Sequence, residues 1–283
     1  MQKTLSTFVL LILTAPALAD ITIDPDSMGA TDVIQDPDGI ATPLTNPIPD
    51  PLDMGTTGLA IGKTSLGTLA ITNGGHITCG LADIGMDSGS VGMAIVDGAR
   101  SLWTVDTDSS YSDTLHVGGH GVGTLSITTG GQVSVSGRTD VGDESDSTGS
   151  VLVDGTGSMW TCEGDLYVGN YGTGALNILN AGNVTSKDYV YIGYQTDSRG
   201  AVSVNGPGSI WTIEGYSLYL GRNGTAAMNI TNGGRVDSRN TDIGYSSESN
   251  RHPQHRTRFY PDTLLAHQAL QGNQTPSFPC CRR

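Results

Sequence analysis

The chain repeats itself, and the length of the repeated unit leaves few folds open to it. Four segments begin alike, with LAIG at 59–62, LHVG at 115–118, LYVG at 166–169 and LYLG at 218–221. Each runs into a version of one phrase: GTLAITNGGHI from Gly67, GTLSITTGGQV from Gly123, GALNILNAGNV from Gly174 and AAMNITNGGRV from Ala226. Each long repeat also holds a second half, opened by DIG at 83–85, DVG at 140–142, YIG at 191–193 and DIG at 242–244. The first three second halves continue through AIVDG, VLVDG and VSVNG and close on SLWT, SMWT and SIWT at 101–104, 158–161 and 209–212. The chain is therefore eight related half-repeats, the last cut short.

Within each half, apolar residues stand two apart in short runs separated by Asn-Gly, Asp-Gly or Gly-Gly. Alternation at period two is a strand signal, and those dipeptides supply the positive φ that a sharp corner needs. A unit this small cannot close a core alone, so it must stack on its neighbours, each strand pairing with the equivalent strand one coil away. The expected fold is all-β: a right-handed, single-stranded parallel β-helix of about eight short coils, a rod about 40 Å long at the strand spacing of a sheet.

Composition agrees. Forty glycines against three phenylalanines, with 15% charged residues, describe many tight turns rather than an ordinary two-layer core. A formal charge of −14 repels phosphate backbones and anionic lipid heads, so nucleic acid is not an expected partner.

The chain divides into four segments. Residues 1–19 read as a signal peptide: Lys3, an apolar run from Phe8 to Leu13, and Ala17-Leu18-Ala19 before Asp20. After its removal no stretch is long and apolar enough for a transmembrane helix, so the mature chain is expected to be exported, to the periplasm, the cell surface or the medium. Residues 20–54 read as an acidic, proline-rich linker punctuated by Asp-Pro steps. Residues 55–250 hold the repeats. From Arg251 to Arg283 the composition turns basic, with one acid, Asp262. That break is what a frameshift or truncation inside the repeat would leave, or else a capping segment over an open sheet end.

The LxVG, ITNGG and SxWT signatures resemble the glycine-rich strand repeat of autotransporter passengers and of exported proteins that carry the exosortase sorting tail. The resemblance covers roughly Leu59 to Ser249 and implies a β-helical surface or secreted protein, often adhesive, with no assigned chemistry. Carboxyl-terminal barrel strands and a hydrophobic sorting helix, which such proteins carry, do not follow the repeats here.

Few residues invite a chemical reading. Trp103, Trp160 and Trp211 each have an apolar residue two places on and belong in the core; Cys162 and Cys79 take core slots as small hydrophobes, Cys79 aligning with Val135. Cys280 and Cys281 are adjacent near the end. His116 and His120 alone have a metal-like spacing, without a third ligand in the sequence nearby, and read as solvated turn histidines. His76, His252, His255 and His267 form no pattern. Glu144, Glu163 and Glu214 are scattered, and Asp97, Asp154 and Asn205 fall at turns, so the acid clusters of polysaccharide lyases and hydrolases are not evident.

No enzyme and no cofactor is expected. The reading is a structural or adhesive surface protein whose partner is an extracellular polysaccharide or another cell. The alternative is a carbohydrate-binding module. The middle residue of each opening motif should point outward, making the column Ala60, Asp83, His116, Asp140, Tyr167, Tyr191, Tyr219, Asp242. Tyr167, Tyr191 and Tyr219 would form an exposed aromatic strip on which sugar rings could stack, with no second polar row evident beside it.

Overall fold

The computed structural model describes residues 51–107 and 113–244, together with the backbone of short strands at Asp20–Ile23, Val33–Asp36, Thr42–Pro43 and Thr257–Phe259. Each of the first seven half-repeats forms one coil of three strands. The first coil is Gly58–Ile61, Leu66–Thr72 and His76–Cys79; the second is Leu81–Ile84, Val91–Asp97 and Leu102–Val105. Seven coils are complete and an eighth opens with Thr241–Ile243, and the described residues contain no helix. Corresponding strands of successive coils pair in parallel, which makes three sheets: one of the short opening strands, one of seven-residue strands, and one carrying the tryptophans. The molecule is a parallel β-solenoid.

The period-two pattern produces this directly. In Thr148–Asp154 every second side chain is buried, and the same alternation recurs in Thr173–Leu179 and Thr225–Thr231. The corners follow the turn chemistry: Asn73 and Gly74 take φ of 54° and 85°, and the Gly75 amide closes the turn on the Thr72 carbonyl at 2.9 Å. The serine of SxWT joins the coils. Ser158 Oγ donates to the Asp154 carbonyl at 2.6 Å and accepts the Gly130 amide of the coil before at 3.1 Å; Ser101 and Ser209 do the same in their coils.

Both segments outside the repeats contribute strands that run against the coil direction. Asp20–Ile23 pairs antiparallel with Leu66–Thr72, Val33–Asp36 with Gly58–Ile61, and Thr257–Phe259 with Arg235–Ser238. An antiparallel strand on a terminal coil occupies an edge that would otherwise template further pairing.

Core volumes explain why the repeat is two coils long. The tryptophan sheet buries Trp103, Trp160 and Trp211 in alternate coils, in register with Ile77, Val133, Val184 and Val236 in the coils between. In the long strand of the same coil, each tryptophan is accompanied in the core by small buried residues: Ala94 and Val96, Val151 and Val153, Val202 and Val204. Coils without tryptophan carry Leu69 and Ile71, Leu125 and Ile127, Leu176 and Ile178, or Met228 and Ile230. Large and small thus trade places within a cross-section of constant area, as close packing requires.

One tryptophan is less well served than the others. Trp103 Nε1 donates to Cys79 Sγ at 3.4 Å and Trp211 Nε1 to Ser186 Oγ at 3.1 Å, but Trp160 Nε1 has no partner, because Val135 stands at the equivalent place in the preceding coil. An unmet buried donor costs about 1–3 kcal/mol. Val135→Thr, which keeps the volume and adds an acceptor, is therefore expected to leave urea stability within about 0.5 kcal/mol of the parent or to raise it, whereas Val153→Thr loses about 1–3 kcal/mol. Equal losses at both positions would show that the indole nitrogen is not the limiting defect. The cysteines are core residues as expected: Cys79 and Cys162 are free and fully buried, and burial pushes the Cys79 thiol up to about 12 and that of Cys162 higher still.

Candidate functional site

The outward column of the short-strand sheet is in register throughout. Ala60 pairs with Asp83, Asp83 with His116, His116 with Asp140, Asp140 with Tyr167, Tyr167 with Tyr191, Tyr191 with Tyr219, and Tyr219 with Asp242. It divides into an acidic block and an aromatic block.

In the aromatic block the rings of Tyr167 and Tyr191 stack with centroids 4.7 Å apart and 14° between planes, and those of Tyr191 and Tyr219 with 5.1 Å and 8°. In-register pairing alone produces this ladder, since it sets equivalent side chains one strand spacing apart. It also changes the exposure. Tyr167 and Tyr191 are each only 9% exposed. Their faces cover one another, and Tyr194 stands edge-on against both, at 5.0 and 4.9 Å. The expected exposed strip is therefore a stack that presents edges and hydroxyls, with its faces hidden.

Flanking rows, which the motifs did not reveal, are present on both sides. On one side Tyr189 stacks on Tyr216 at 4.9 Å and lies 6.1–6.2 Å from Tyr191 and Tyr219; Tyr216 is 63% exposed. On the other run Asp143, Asn170, Tyr194 and Arg222, tied coil to coil through backbone bonds to the glycines that close each opening motif. The Arg222 guanidinium lies 5.0 Å from the Tyr194 ring and donates to its hydroxyl at 3.0 Å, while that of Arg138 lies 4.4 Å over Tyr167. Six of the ten tyrosines meet here. Burial, then the Asp165 carboxylate, hold the Tyr167 and Tyr191 hydroxyls neutral.

The acidic block corrects the reading of His116. It lies on the strand Asp113–Val117 rather than in a solvated turn, and its Nδ1 donates to Asp83 Oδ1 at 2.7 Å, with Asp143 Oδ2 3.8 Å from Nε2. Asp140, fully buried, is gripped by Arg138, whose Nη2 donates to Oδ1 at 2.8 Å and whose Nε lies 2.8 Å from Oδ2. Asp83, Asp140 and Asp143 thus gather from neighbouring coils, the acid cluster that spacing in the sequence did not show. No group of three His, Cys, Asp or Glu among the described residues is placed to hold a metal ion.

Two shifts in this block act in the same direction on stability. Burial pulls His116 down, but the Asp83 hydrogen bond and the charges of Asp83, Asp140 and Asp143 outweigh it and raise the imidazole to about 9. Burial and the Asp143 charge raise Asp140 to about 7 against the pull of Arg138 and His116. Both groups hold more protons folded than unfolded, so stability falls as pH rises, through Asp140 up to about 7 and through His116 from about 6.5 to 9. Melting temperature is expected to drop by several degrees from about pH 5.5 to 9.5, and His116→Asn to remove the upper part of the drop. A flat profile across that range would refute it.

The remaining candidates stand apart. His76 and His120 are exposed, His76 Nε2 lying 3.0 Å from the Arg100 carbonyl, and Glu163 pairs with Lys187 at 2.6 Å on the surface. Asp97 accepts bonds from Thr128 and Thr129, and Asp154 from Asn180, at the corners. His252, His255, His267, Cys280 and Cys281 lie outside the described residues.

Fold and face together define a parallel β-solenoid repeat protein with one chemically distinct side. No protein-family model matches the chain, and no solved structure does. Over 163 residues it is 32% identical to the uncharacterized lipoprotein YdeK of Escherichia coli (strain K12), covering 56% of this chain and 12% of that protein. Over 108 residues it is 32% identical to the adhesin BmaC autotransporter of Brucella suis biovar 1 (strain 1330), covering 37% of this chain and 3% of that protein. The chain therefore spans about an eighth or less of these curated relatives.

Proposed function

We propose that the protein is an exported, non-catalytic, structural or adhesive rod of the kind built from the glycine-rich strand repeat, which holds one binding face outward toward an extracellular polysaccharide or another cell. The carrying observation is the in-register column over eight successive opening strands, which places unlike functional groups on one face while the rest of each coil repeats for stacking. Similarity to an adhesin and to a lipoprotein supports export and adhesion. Asp83 and Asp140 are engaged by His116 and Arg138, which supports a non-catalytic role. Purified chain from Asp20 onward should be retained on insoluble polysaccharides or on cells without releasing reducing sugar. Release of reducing ends would refute the non-catalytic reading, and absence of retention the adhesive one. The second reading, a carbohydrate-binding module, is favoured by the flanking polar rows beside Tyr167, Tyr191 and Tyr219.

A further inference from the structure

Resting on that adhesive reading, we infer that the aromatic block of the fifth to seventh coils is a binding site for an uncharged, extended, β-linked polysaccharide lying along the rod axis. Three features of the block point to it.

The first is spacing. The tyrosine hydroxyls recur at one per coil, with rings 4.7–5.1 Å apart, close to the advance per sugar of an extended β-1,4-linked chain. An axial chain therefore meets the same group at each sugar, whereas a coiled α-linked chain falls out of step. The second is the division of labour within the block. Tyr167 and Tyr191 offer only edges, so their part is to donate and accept hydrogen bonds along the chain. Tyr216, 63% exposed on one side of the ladder and stacked among the described residues on Tyr189, is the ring with a free surface for the apolar face of a sugar. Arg222 on the opposite side places a further polar group along the same line.

The third is charge. Asp165, within 3.4 Å of the Tyr167 hydroxyl, Asp188 beside it, and Asp242 in register after Tyr219 border the block with carboxylates. On a chain of net charge −14 they repel polyuronates and sulfated polymers, and leave neutral glycans.

The test is affinity electrophoresis of the chain from Asp20 onward in gels holding a soluble neutral β-1,4-glucan, dextran or polygalacturonate, joined to calorimetric titration with cello- and chito-oligosaccharides. Retardation is expected in the β-glucan gel alone. Four-unit oligosaccharides should bind about tenfold tighter than two-unit ones, and Tyr216→Ala should weaken binding about tenfold with the melting temperature unchanged. Equal retardation by dextran or polygalacturonate, equal affinity for short and long oligosaccharides, or full binding by Tyr216→Ala would overturn this site. If such a variant still adheres to cells, the adhesive reading stands without the site; if the parent chain adheres to nothing, both fall.

Discussion

Replacing Trp160 by valine is expected to lower unfolding free energy by about 3 kcal/mol or more, because it empties the middle of a fully buried coil whose long strand offers only Val151 and Val153 to fill the space. The informative variant is the repair. Adding Val151→Leu and Val153→Ile to Trp160→Val gives the fourth coil the residues of the third and fifth, and should recover most of the loss in denaturant unfolding. The same two changes beside an intact Trp160 should cost about 1–3 kcal/mol by overpacking. If the triple variant is no more stable than Trp160→Val, contact of the indole with Val133 and Val184 above and below it, rather than constant volume within each coil, sets the two-coil period.

A methyl group at Gly149 should be worse still. A Cβ there would lie 2.0 Å from the Val117 carbonyl oxygen and 2.4 Å from the Gly142 amide, both backbone atoms locked in coil-to-coil hydrogen bonds. Gly149→Ala is expected to cost about 4 kcal/mol or more, enough to prevent recovery of folded protein from a marginally stable chain. Gly89 supplies the control, since its φ of 81° strains an alanine while nothing lies within 4 Å of the added carbon. Gly89→Ala should cost only about 1–2 kcal/mol and still fold. Circular dichroism melts of the two variants decide the matter: similar losses would mean that the close approach of successive coils yields to a methyl group and does not explain the glycine.

The architecture was legible in the sequence because a stacked coil must present the same kind of residue at the same place each time. Recurrence of LxVG, GTLxIT and SxWT therefore marked the strands, period two assigned their faces, and Trp103, Trp160, Trp211, Cys79 and Cys162 could be put in the core. The outward column from Ala60 to Asp242 followed from the same logic and is in register at every step. The long-repeat period also had a sequence signal, the exchange of Leu-Ile or Met-Ile for Val-Val or Ala-Val in the coils that carry a tryptophan, but only the closed coil puts both sets of residues into one core.

What surrounds the column was decided by tertiary structure. Asp83 and His116 are 33 residues apart yet hydrogen-bonded, and Arg138 reaches Tyr167 from the coil before it. Tyr189, Tyr194, Tyr216 and Arg222 sit in connections with no repeated motif, so their convergence depends on how each loop leaves its coil. Exposure was likewise a property of the assembly: a residue pointing outward from its own strand is covered when its neighbours one strand spacing away carry rings of the same shape, which is why Tyr167 and Tyr191 stack into one another while Tyr216 is left open.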